Sequence, residues 1–146
     1  MSLSTKAVNE KLIDLTRKLQ SIELLRSHRL VGGTNLALRF NHRLSIDIDL
    51  FCDTTPDIHL AKAIESEIKN LFQSKDVTVT SVKSIGVFLV IKGIKVDIVN
   101  YRMNWLNQSE LVSGINVASL EDIIAMKLET ITDRGSRKDF YDIHLF

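Results

Sequence analysis

From about Lys6 to Arg26 the apolar residues Val8, Leu12, Leu15, Leu19 and Ile22 recur at alternating steps of four and three. That spacing puts them on one face and predicts an amphipathic helix. A short apolar run, Leu30-Val31, then meets Gly32-Gly33, after which Thr34 can cap a short helix carrying Leu36, Ala37, Leu38 and Phe40. From Ser45 to Leu50 the period changes to two. Ile46, Ile48 and Leu50 face one way, and Ser45, Asp47 and Asp49 the other, as in a strand with one buried face.

Thr55-Pro56 has the chemistry of a helix opening, and Leu60, Ile64, Ile68 and Leu71 give the helix that follows its apolar stripe. Three strands are expected next, over Val77 to Val82, Val87 to Ile91 and Ile94 to Val99. The short Lys92-Gly93 link makes the last two an antiparallel hairpin. Tyr101 to Val117 reads as loop with one short strand, and Trp105 and Tyr101 as packing residues. Ser119 with Asp122 forms a capping box for a helix to about Asp133, Gly135 suits its end, and a final helix is expected from Ser136 onward. The order predicts a mixed α/β (α+β) domain whose sheet is at least partly antiparallel.

No Pro/Gly/Ser-rich linker or internal repeat divides the 146 residues, so residues 1–146 are expected to form a single domain. Lys plus Arg number 19 against 18 for Asp plus Glu, a net charge of +1 that excludes a strong global attraction to nucleic acid but not a local basic patch. The single cysteine, Cys52, excludes an internal disulfide framework and suits a reducing compartment. No apolar run approaches the length of a membrane span, so a cytoplasmic protein without a membrane role is expected.

Asp47 and Asp49 project from the same face of one strand. Two carboxylates that close repel each other unless a positive charge sits between them, and a hard divalent cation such as Mg²⁺ is the usual answer. The tripeptide alone is a weak signal, better accounted for by a solvated strand face. Asp97, on the polar side of another alternating strand, alters the reading if the two strands are neighbours: three carboxylates can hold two metal ions roughly 3.5–4 Å apart. The plain alternative is a surface Asp97 beside Lys95.

Gly32-Gly33-Thr34 opens a helix shortly before the acidic strand, where free N–H groups attract anions; a Thr-capped turn is the simpler account. Lys127 falls within the apolar stripe of Leu120, Ile123, Ile124 and Ile131, so it either snorkels to water or reaches a triphosphate. Arg134 complements a helix C-terminus and is a candidate nucleotide contact, while Asp139 and Asp142 share a face of the last helix. His28, His42, His59 and His144 lack zinc-ligand spacing.

Five segments in order resemble the AbiEii/AbiGii-type nucleotidyltransferase toxins. They are Gly-Gly-Thr-Asn-Leu-Ala-Leu at 32–38, His-Arg-Leu-Ser-Ile-Asp-Ile-Asp-Leu-Phe at 42–51, Lys95-Val96-Asp97-Ile98, Ala118 to Ile123 on to Lys127, and Arg137 to Ile143. The resemblance implies a polymerase-β-like nucleotidyltransferase fold, a mixed sheet with helices packed on it. It also implies a toxin–antitoxin or abortive-infection role. Residue by residue it implies Gly33 and Thr34 as triphosphate grip, and Asp47, Asp49 and Asp97 as ligands of two Mg²⁺ ions, with Mn²⁺ as the substitute. Lys127 would contact the nucleotide, and Asp139 would be the acidic residue of the last motif. The donor would be an NTP, the acceptor RNA (tRNA among the candidates) or protein, and the partner a cognate antitoxin. Relatives commonly continue with further helices beyond the point matching Phe146. Two other readings remain: an inactive nucleotide- or partner-binding module of the same fold, and a nucleotide-sugar glycosyltransferase, for which the chain looks short.

Overall fold

The computed structural model describes residues 10–32, 34, 35 and 47–134. Its centre is a seven-stranded mixed sheet in the order β3-β4-β5-β2-β1-β7-β6. The strands are β1 (Arg29–Val31), β2 (Asp47–Asp53), β3 (Val77–Lys83), β4 (Gly86–Ile91), β5 (Ile94–Tyr101), β6 (Glu110–Val112) and β7 (Ile115–Val117). β2 runs parallel to β5 and β1 parallel to β7, while the other neighbours are antiparallel.

Alternation sorts the sheet into two faces. Leu30, Ile48, Leu50, Val96, Ile98, Val87, Leu89 and Ile91 point to one side and are buried. Helices α1 (Glu10–Gln20) and α2 (Ile58–Leu71) cover that side: Leu12, Leu15, Leu19, Ile64 and Ile68 join the same core. A leucine buried this deeply contributes roughly 1.5–3 kcal/mol relative to exposure, so this layer supplies most of the fold's apolar stabilisation. On the opposite face, helix α3 (Leu120–Arg134) packs through Ile123 against Val31 and Ala118, with Phe51, Trp105, Leu120 and Met126 around them.

Several boundaries differ from the sequence reading. The first helix ends at Gln20, not Arg26; Ile22 is already extended and a 3₁₀ turn over Glu23–Leu25 leads into β1. Ile22 and Leu25 remain buried, so the apolar spacing continues while the backbone turns toward the sheet. The cap of α2 is Asp57, whose carboxylate accepts from His59 N–H at 2.8 Å, rather than Thr55. The inner face of α2 is Ala61, Ile64, Ile68 and the following Phe72; Leu71 is 37% exposed. Residues 101–117 hold two strands, not one, because Ser113 and Gly114 both adopt positive φ and close a β6–β7 hairpin. Lys92-Gly93 does the same between β4 and β5, as expected. Tyr101 is 54% exposed and is no packing residue. Gly32, Thr34 and Asn35 are already helical, so Thr34 stands inside the expected short helix instead of capping it; the continuation over 36–40 and the final helix from 136 lie outside the described residues.

Candidate active site

Parallel pairing of β2 with β5 decides the geometry. Asp49 sits directly opposite Asp97, and Asp47 opposite Lys95. In-register partners share a face, so all three carboxylates leave the sheet on the side of α3, while Ile48 and Val96 between them anchor the core. Two acidic stretches almost fifty residues apart in the chain therefore meet, and they do so near the N-terminal ends of both strands.

The Gly32 turn closes the site from the β1 side. Val31 pairs with Asp49, so the chain leaves β1 beside that carboxylate. Gly32 has φ +74, and a Cβ there would lie 2.6 Å from Asp49 Oδ2. A side chain here would be strained in its backbone and would have to displace the Asp49 carboxylate. Thr34 is buried, and its hydroxyl donates to the Asp47 carbonyl. Asn35 donates to the carbonyls of Leu30 at 2.8 Å and Ala118 at 3.3 Å. This turn is thereby tied to the acidic strand, to β1 and to the lead into α3. The sequence suggests a Thr34 hydroxyl offered to a phosphate; in the fold that hydroxyl bonds the backbone of Asp47.

The electrostatics report crowding of like charge. Burial pushes the Asp49 carboxyl up to about 6, and the carboxylates of Asp97 and Asp47 push in the same direction, against the ammonium groups of Lys95 and Lys127. Burial also raises Asp97, opposed by Lys95 and reinforced by Asp47. Lys95 Nζ lies 3.8 Å from Asp97 Oδ2, so the pairing considered for a surface Asp97 does occur. It leaves Asp97 Oδ1 buried with no hydrogen-bond partner among the described residues. Among the described residues, no three His, Cys, Asp or Glu side chains converge closely enough to hold a metal ion by themselves. A Mg²⁺ ion takes few protein ligands and leaves its other positions to water and substrate phosphate, so a half-buried carboxylate cluster with one orphaned oxygen fits its chemistry.

Lys127 is half-buried on α3 and close enough to act on Asp49, on the sheet side of that helix as its place in the apolar stripe suggests. The angle of α3 is set at its start. Ser119 Oγ accepts from Asp122 N–H at 3.2 Å and donates to Asp122 Oδ2 at 2.8 Å. The buried Asp122 carboxylate also accepts from the N–H groups of Leu106 and Asn107. Arg29 stands 4.5 Å over the Trp105 ring and 4.0 Å from Asp122 Oδ2. Sequence reasoning found the capping box but not its second task of holding the 105–107 loop. Arg134 is the last residue of α3. Gly33 and Asp139 lie outside the described residues, and none of the described helices is long and apolar enough to cross a membrane.

Comparisons with known proteins give a family and a fold. A family model described as nucleotidyl transferase AbiEii toxin, type IV TA system, matches residues 15–146. An uncharacterized Aquifex aeolicus protein, aq_aa25, is 34% identical over 135 residues, which is 86% of this chain and 60% of that protein. The chain thus spans about 60% of the length of this relative. Among solved structures, JHP933 from Helicobacter pylori superposes with a TM-score of 0.63 at 23% identity, covering 99% of this chain and 67% of that one. The antibiotic-resistance factor ANT(2″)-Ia gives 0.64 at 15% identity, covering 94% and 83%. The Megavirus polyadenylate synthase gives 0.58 at 15% identity, covering 96% and 32%. Likeness at such low identity establishes the fold, which is that of the polymerase-β-like nucleotidyltransferases. With the family model matching residues 15–146 of the 146, the chain belongs to the nucleotidyl transferase AbiEii toxin family, type IV TA system.

Proposed function

We propose that this chain transfers a nucleoside monophosphate from an NTP to an acceptor oxygen at the Asp47–Asp49–Asp97 face. The observation that carries the reading is the register that sets Asp49 against Asp97 with Asp47 beside them. Asp47, Asp49 and Asp97 are the residues that would hold two Mg²⁺ ions, or Mn²⁺ in their place, which supply charge neutralisation for the triphosphate when bound. An acceptor hydroxyl or phosphate oxygen attacks the α-phosphorus. The new O–P bond forms as the bond to the α–β bridging oxygen breaks, and pyrophosphate leaves.

In this reading Asp97 accepts the acceptor's proton; the support is that one of its oxygens has no hydrogen-bond partner among the described residues. Lys127 places an ammonium beside the carboxylates from the α3 side, where it contacts the nucleotide phosphates. Gly33 and Arg134 complete the nucleotide contacts, with Thr34 bracing the turn, and Asp139 orients a basic group. Prearranged charge and positioning supply most of the acceleration in such transfers. In the cell the protein acts in the cytoplasm as the toxin of an abortive-infection pair, with a cognate antitoxin as partner and RNA or protein as acceptor. This role follows from the family, not from the geometry.

The test incubates purified protein with each α-labelled NTP, Mg²⁺ and cell RNA or lysate. Label transfer is expected, and Asp47→Asn or Asp49→Asn should abolish it while circular dichroism stays unchanged. Transfer that survives both substitutions would refute the site. Nucleotide binding without pyrophosphate release under any acceptor would select an inactive binding module instead.

A further inference from the structure

A second feature lies at the same end of the sheet. The N-terminal ends of β2 and β5, the β4–β5 turn and the start of β3 are neighbours there, since Asp47 pairs with Lys95, Ile91 with Ile94 and Val77 with Ile91. On the α1/α2 side of this end, across the sheet from the carboxylates, a cleft of about 330 Å³ is lined by Lys18, Leu71, Phe72, Gln73, Lys75, Asp76 and Lys92. Lys11 Nζ adds a fourth ammonium by donating to the Lys92 carbonyl at 3.2 Å. Lys18 Nζ lies 4.6 Å over the Phe72 ring, held at the cleft wall.

What sets this end apart is the gathering of lysines, since Lys62 and Lys83 are also without an ion pair among the described residues but do not line the cleft. Lys69 pairs with Glu65 and Lys95 with Asp97, whereas Lys11, Lys18, Lys75 and Lys92 form no ion pair among the described residues. Asp76 is the one carboxylate among the described residues that line the cleft. A chain of net charge +1 thus gathers four cations around one concavity. From the turn, Lys95 continues the positive track on the carboxylate face. Ile94 to Asp97 is only ~10 Å of strand.

We propose that this cleft binds the phosphodiester backbone of a single-stranded nucleic acid and leads it past Lys95 to the carboxylates. The inference rests on the transfer reading above and names its acceptor class. Lysines recognise phosphate as compact point charges, and binding to a strand is driven by counterion release. A duplex is too stiff to turn around a sheet end within this distance; its persistence length is about 50 nm. An acidic protein is the less favoured occupant. Leu71 is the one exposed apolar side chain among the described lining residues and Phe72 is 6% exposed, so the cleft lacks the exposed aromatic anchors that protein interfaces use.

The test measures fluorescence anisotropy of short labelled single strands, RNA and DNA in separate arms, against the whole chain without NTP. Wild type should bind, and Lys18→Glu with Lys92→Glu should weaken binding roughly tenfold or more. The same pair should reduce the log–log salt slope by about 1.4, at about 0.7 for each phosphate no longer neutralised. Lys62→Glu with Lys83→Glu makes the same charge change at other exposed lysines and should leave affinity within about twofold. Preference between the RNA and DNA arms identifies the strand. Equal losses in both double variants, no binding by wild type, or displacement by polyglutamate as readily as by nucleic acid would each overturn the proposal. Because no transfer is needed for this readout, strand binding by an inactive protein would sink the catalytic reading alone, and transfer without strand binding would sink this one alone.

Discussion

Gly32 is the residue on which the site's geometry is least forgiving. At its φ of +74 any side chain is strained, and a Cβ would push into Asp49 Oδ2. Gly32→Ala is expected to cost at least about 1–2 kcal/mol from the backbone conformation alone, read as a lower urea midpoint, and to displace Asp49, read as lost transfer. Full activity in Gly32→Ala would mean that the turn does not position the carboxylate. His28 makes a different prediction. It is buried, its Nε2 lies 2.7 Å from Asn100 Oδ1, and burial holds its pKa below the usual value despite that hydrogen bond. The folded state therefore favours neutral imidazole, whereas the unfolded chain takes up a proton near pH 6.5. Stability from this group is present above that pH and lost as the pH falls below it. Asp49 acts oppositely: with its pKa raised to about 6, its contribution declines as pH rises from about 4 through 6. Comparing urea midpoints of wild type and His28→Gln between about pH 7.5 and 5.5 isolates the histidine, and the substitution should remove part of the acid loss. Parallel pH profiles would show that His28 does not titrate as described.

At the scale of elements, α3 turns a local cap into a functional position. Ser119→Ala removes the cap and should cost about 1 kcal/mol. Asp122→Ala should cost about 3 kcal/mol, since it also strands the Leu106 and Asn107 donors and the Arg29 guanidinium. Thermal denaturation of the two variants checks the order, and equal losses would mean that the loop contacts contribute nothing. The capping box was legible because its chemistry lies within four consecutive residues. So were β2, β4 and β5, whose alternation reflects a sheet with one deeply buried face. The second strand of the β6–β7 hairpin was missed because three-residue strands are too short for a period, although Ser113-Gly114 between Leu111-Val112 and Ile115-Asn116-Val117 was the available signal. The Asp57 cap was missed because three capping-competent residues, Thr54, Thr55 and Asp57, surround Pro56 and only geometry chooses among them.

For the whole molecule, the question left open by the sequence was one of pairing. Alternation put Asp47, Asp49 and Asp97 on polar faces, but nothing local could say whether their strands were neighbours, because a parallel pair needs a long crossover and leaves no turn signature. Here α2, β3 and β4 make that crossover, and β5 returns beside β2. The lysine cleft was illegible for the same reason: Lys11, Lys18, Lys75 and Lys92 are scattered along the chain and gather only when the sheet end forms. The central claim is that the three carboxylates act as one divalent-cation site. Calorimetric titration of Mn²⁺ with a non-hydrolysable NTP analogue, into wild type and into Asp97→Asn, tests it most directly. The account predicts saturable binding by wild type that weakens at least roughly tenfold in the variant. Equal affinity in the two proteins would contradict it.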